Sequence, residues 1–167
     1  AATRPASMLV VVMGAKGGCG ATLIATNLAA HLAADHRTCL VDLDLCKGDV
    51  AGFLGLKSGR SLNLLLEALD QLDEQLLAGS VDVHPSGLHV LVQPYDLTHL
   101  HHVTAEEVNR VLGAVRSHYE IVVVDVGSRI DVAALTAALA ADVILLVTTP
   151  DVVALRDAKR VLALMRR

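Results

Sequence analysis

The sequence predicts a three-layer α/β domain, a mainly parallel sheet flanked by helices. Hydrophobic residues make up 53% of the 167-residue chain and aromatics only 2%. The core is therefore built from Val, Leu, Ile and Ala. The apolar runs Met8–Met13 (MLVVVM) and Ile121–Val124 are continuous, not alternating. Such runs suit strands buried on both faces of a parallel sheet. Strand patterns also alternate with helical ones, which implies βαβ units and right-handed crossovers. This pattern does not give the order of the strands in the sheet.

Taken in order, residues 1–7 read as a linker, with Pro5 among small residues. Met8–Met13 is a strand, followed by a Gly-rich turn. From Thr22 to about Ala34 the chain reads as a helix, with Leu23, Ala25, Leu28, Ala29 and Leu32 at helical spacing. Thr38–Leu43 is a second strand, running into Asp42-Leu43-Asp44. Val50–Leu56 forms a short helix. Ser61 is placed to cap Leu62–Leu69, and Asp73 to start Glu74–Leu77. Leu88–Val92 is a strand between Gly87 and Pro94. Thr104 and Glu107 form a capping box that opens a helix to about His118. Ile121–Val126 is a strand, Val132–Ala140 a helix, Val143–Thr148 a strand and Val152–Met165 a helix. The chain stops on a helix just after a strand, so residues 8–167 are expected to be an incomplete domain lacking its last strand or strands.

Composition narrows the function. The net charge is -4, and the basic residues form no dense tract. Sequence-independent DNA binding therefore gets little support. The scarcity of aromatics argues against base-stacking platforms. Cys19, Cys39 and Cys46 have no CxxC spacing and read as free thiols of a reducing compartment. No signal peptide or membrane-length apolar run is visible, because Asp142 interrupts Ala133–Val147. His99, His101 and His102 fit no structural zinc spacing and read as a solvated loop.

The chemistry concentrates at Gly14-Ala15-Lys16-Gly17-Gly18-Cys19-Gly20-Ala21-Thr22, between a strand and a helix. Glycines let successive N–H groups point inward as an anion nest, and the helix adds its positive end. Gly17, Gly18, Cys19, Gly20, Ala21 and Thr22 are the candidate phosphate cradle, and the Thr22 hydroxyl is placed to hold Mg²⁺. The general pattern G-x-x-x-x-G-K-[ST] is not met: Ala21 stands where its lysine contacts the β- and γ-phosphates. Asp42 and Asp44 share a side by alternation, near the carboxyl ends of the strands. Asp125 closes a hydrophobic strand as a Walker B acid does, and is a candidate for holding Mg²⁺ through water.

Lys16-Gly17-Gly18-Cys19-Gly20-Ala21-Thr22 resembles the deviant Walker A loop K-G-G-x-G-K-[ST] of the MinD/ParA superfamily of P-loop NTPases, departing at Ala21. That resemblance implies that Lys16 reaches across an ATP-sandwiched homodimer, that Asp42 lies near Mg²⁺ and that Asp44 orients the attacking water. The lysine-lacking loop, Asp42-Leu43-Asp44 with Gly48-Asp49-Val50, and Ala141-Asp142 through Thr148-Thr149-Pro150-Asp151 are similar to the CpaE/TadZ pilus-assembly branch. For that branch the resemblance implies a cytoplasmic ATP- or ADP-binding protein, recruited to a cell pole or the inner face of the membrane. It would position Flp/Tad pilus components with weak or absent hydrolysis. Two other readings stay open, a ParA-type DNA-segregation ATPase and a pseudo-ATPase interaction module.

Overall fold

The structure, a computed structural model, describes residues 7–57, 61–93 and 103–166. The histidines at 99, 101 and 102 and nearly all of the linker lie outside them. The elements run β1 (Met8–Gly14), α1 (Ala21–Leu32), β2 (Thr38–Asp42), α2 (Val50–Phe53), α3 (Leu62–Glu67), a 3₁₀ turn at Leu69–Gln71, α4 (Glu74–Ser80) and β3 (Asp82–Val83). They continue with β4 (His89–Leu91), α5 (Ala105–His118), β5 (Ile121–Asp125), α6 (Val132–Ala140), β6 (Val143–Val147) and α7 (Val152–Met165).

These strands form one six-stranded sheet in the order β3-β4-β2-β5-β1-β6. All pairings are parallel except β3 with β4. The expected three-layer α/β architecture is therefore what the chain adopts. Along β1, Leu9, Val11 and Met13 join a cluster with α3, α4, α5 and α6, while Val12 joins a second cluster with α1 and α2. Successive side chains thus enter opposite helical layers. This explains why the strands read as unbroken apolar runs.

Local signals set most boundaries. The Thr104–Glu107 box is formed in both directions, with Glu107 N–H donating to Thr104 Oγ1 at 3.2 Å and Thr104 N–H to Glu107 Oε2 at 2.7 Å. Asp73 caps α4 through the Leu76 N–H at 2.7 Å. Ser61 departs from expectation: it sits at the start of α3 but its side chain makes no cap bond. The Leu62 N–H donates instead to the Val92 carbonyl, at 2.8 Å. α3 also stops at Glu67, and α2 at Phe53, so both are shorter than the apolar pattern predicts.

The two ends of the sheet differ in chemistry. At the amino end, His89 Nδ1 lies 2.8 Å from the Tyr119 hydroxyl, and the Arg37 guanidinium sits 6.0 Å from the Tyr119 ring centre. The Arg37 N–H donates to Glu120 Oε2 at 3.0 Å, and His36 lies 3.7 Å from the same oxygen. Burial holds the His89 imidazole below its usual pKa, aided by Arg37, and burial pushes the Tyr119 hydroxyl up. The two edges differ as well. β3 is two residues long, whereas β6 is a five-residue edge with Val143 and Ile144 40% and 37% exposed.

Candidate functional site

The carboxyl ends of β1, β2 and β5 meet at a cleft of about 150 Å³. One wall is the loop Ala15–Gly20. Gly18 and Gly20 have φ of 81° and 88°, in the left-handed region that favours glycine. Gly20 stands at the start of α1, where no side chain caps the helix and its first turn has no acidic residue. Consequently the first N–H groups of α1 are left for a ligand, and the helix end carries partial positive charge. Lys16, Gly17, Gly18, Cys19, Ala21 and Thr22 all line this wall, as the sequence predicts.

The facing wall is acidic. Register places Asp42 directly beside Asp125 across β2 and β5. Asp42 is wholly buried, and its carboxylate accepts the Asp44 N–H at 3.1 Å and the Val50 N–H at 3.3 Å. Gln93 donates to the Asp42 carbonyl at 2.8 Å. Asp42 therefore organises the β2–α2 loop, and the cleft lining begins at Asp44. Asp44 lies against Gly127, whose φ is +62°. A Cβ on Gly127 would overlap the Asp44 carboxylate, so glycine is required there. Asp125 accepts the Gly127 N–H at 3.1 Å and is hydrogen-bonded by Thr22.

These acids are poorly compensated. Burial pushes the Asp42 pKa well above the carboxylate range, and the Asp125 charge pushes it further. Burial raises Asp44 and Asp125 too, against hydrogen bonds that pull them down. The donor set, carboxylates and the Thr22 hydroxyl, is the hard oxygen type that Mg²⁺ favours. Among the described residues no three His, Cys, Asp or Glu side chains form a metal cage. Mg²⁺ normally keeps waters and takes phosphate oxygens, so a partial donor set fits it better than a cage.

Lys16 lies 3.4 Å from Asp151, the residue that starts α7. Asp151 also accepts from Thr149 at 2.6 Å and from the Ala154 N–H at 2.9 Å. These hydrogen bonds, with Lys16 adding to them, pull its carboxyl down to about 2. Lys47, Asp49 and Ser128 also line the cleft, and sequence reasoning did not select them as site residues. Gly127-Ser128, beginning two residues past the strand-ending Asp125, was the available signal.

A family described as an AAA domain matches residues 7–167. The ParA family ATPase from Chlorobium tepidum TLS is 30% identical, with a TM-score of 0.88 over 95% of this chain and 68% of that one. This chain belongs to the MinD/ParA family of P-loop ATPases. The septum site-determining protein MinD of Bacillus subtilis is 26% identical over 95% of this chain and 59% of its own length. The Pyrococcus horikoshii MinD complexed with Mg-ADP, 21% identical, shares the fold at a TM-score of 0.79 over 96% of this chain and 65% of that one. The chain thus spans between 49% and 60% of the length of these and similar curated relatives. No helix among the described residues is long and apolar enough to cross a membrane.

Proposed function

We propose that this MinD/ParA-family domain binds ATP or ADP with Mg²⁺ and acts as a nucleotide-dependent dimerising switch of the CpaE/TadZ pilus-assembly type. The observation that carries the reading is an uncapped, glycine-opened helix start sharing one cleft with Asp44 and Asp49, with the buried Asp42–Asp125 pair at the adjoining strand ends. Phosphates would take the N–H groups of residues 17–22. Thr22 and Asp125 would hold Mg²⁺, with Asp42 behind them fixing the loop. When bound, the ion would neutralise phosphate charge. Asp44, half-buried and close to Gly127, would accept a hydrogen bond from an attacking water.

The cleft is smaller than the roughly 300–1,000 Å³ of sites that enclose a whole small molecule. The reading therefore places only the phosphates in it, with base and ribose outside. Calorimetric titration with Mg-ATP and Mg-ADP is the direct test, and absence of binding to either would sink the proposal.

Ala21 supports a second reading, a pseudo-ATPase interaction module. It is buried at the start of α1 where the general loop carries lysine. If the remaining machinery is intact, Ala21→Lys raises turnover; unchanged turnover favours the module.

A further inference from the structure

The loop has lost its lysine at Ala21, yet the cleft has a cation on each side. Among the described residues lining it, Lys16 comes from the β1–α1 loop and Lys47 from the β2–α2 loop. Their circumstances differ. Lys16 is engaged by Asp151 of its own chain at 3.4 Å. Lys47 is exposed and holds no ion pair among the described residues. Its charge nevertheless reaches the cleft, since it offsets part of the burial effect on Asp44.

The backbone under Lys47 is firmly placed. Its N–H donates to the Asp44 carbonyl at 3.1 Å, and the next N–H, from Gly48, donates to the same oxygen at 3.0 Å. Beyond it, the Val50 N–H is tied to the buried Asp42 carboxylate. Only the side chain is free, and a lysine stem is four carbons long with three donors at its tip. A fixed turn with a free cationic arm at the rim of an anion nest suits capture of phosphate.

We propose that Lys47 supplies within one subunit the positive charge on the outer phosphates that Ala21 removes from the loop. This rests on the nucleotide reading above. Lys16, engaged by Asp151 and carried on a different loop, is not needed for that role.

The test measures affinity for Mg-ATP and Mg-ADP, with a fluorescent analogue of each, on the full chain and its variants. Lys47→Ala should weaken Mg-ATP binding about tenfold, the scale of one lost charge-assisted hydrogen bond. Mg-ADP should weaken less, and the melting temperature without nucleotide should not move. Lys47→Arg should keep most of the affinity. In an Ala21→Lys background, where the loop cation is restored, the same Lys47→Ala change should cost less. Mg-ATP affinity of Lys47→Ala within about twofold of the parent overturns the proposal while leaving nucleotide binding standing. Equal loss for both nucleotides also overturns it. No binding by the parent chain removes the nucleotide reading, and this inference with it.

Discussion

At the amino end of the strands, the Arg37 backbone N–H and the His36 ring both meet the Glu120 carboxylate, and His89 meets the Tyr119 hydroxyl. At the carboxyl end, burial raises the proton affinity of Asp42, Asp44 and Asp125, neighbouring acids add to it, and Asp44 shares a cleft with an uncapped helix start. Both ends are polar and both contain a cleft. Only the carboxyl end sets buried carboxylates side by side, Asp42 against Asp125. A polar cluster that satisfies itself is structural, whereas one that is costly to the isolated chain points to a missing counter-charge. That distinction is the physical argument for proposing the carboxyl end as the functional one.

The comparison can be broken in several ways. The largest effect is expected for Gly127→Ala. It combines a left-handed backbone with overlap against Asp44, so urea unfolding should show a loss of about 3 kcal/mol. A loss below about 1 kcal/mol would mean that Asp44 moves aside freely.

The next effect has the opposite sign. Asp125→Asn should raise the melting temperature in the absence of Mg²⁺ by a few degrees, the scale of about 1 kcal/mol in a domain of this size. It should also abolish stabilisation by Mg-nucleotide. The pH dependence follows from the raised carboxyls. In the folded state they hold protons that the unfolded chain releases, so stability falls as pH rises above the ordinary carboxylate value near 4. Melting curves across pH should show this fall, shallower in Asp125→Asn. A flat profile in the parent would mean that these acids are compensated after all.

Tyr119→Phe probes the matched end. Loss of the hydroxyl bonded to His89 should cost about 1 kcal/mol and leave nucleotide affinity unchanged. A change in affinity would show that the two ends are coupled. The smallest effect belongs to Asp151→Asn, which keeps a capping oxygen but drops the charge opposite Lys16. Its melting curve should overlay the parent's, because exposed ion pairs contribute little. Lys16 should meanwhile become more reactive toward an amine-modifying reagent, as read by peptide mass mapping.

Much of this was legible in the sequence. α7 spans Val152–Met165 as the periodicity predicts, and the Thr104–Glu107 box closes in both directions. The loop was legible because glycine spacing is a backbone requirement written in residue type. The two-residue β3 was not, since so short a strand carries no periodicity and exists only by pairing with β4. Asp42 and Asp44 share a side by alternation, but β2 ends at Asp42 and the chain then turns. One carboxylate is thereby taken up by its own loop and the other meets Gly127. Lys47 and Ser128 reach the cleft because separate loops converge, and convergence has no local signature.

β6 carries a practical consequence. Its outer edge offers unpaired N–H and C=O groups with Val143 and Ile144 half-open to water, whereas β3 is too short to template anything. An exposed apolar edge of that length invites another strand. A strand supplied there, from whatever source, would continue the sheet beyond β6 and cover Val143 and Ile144.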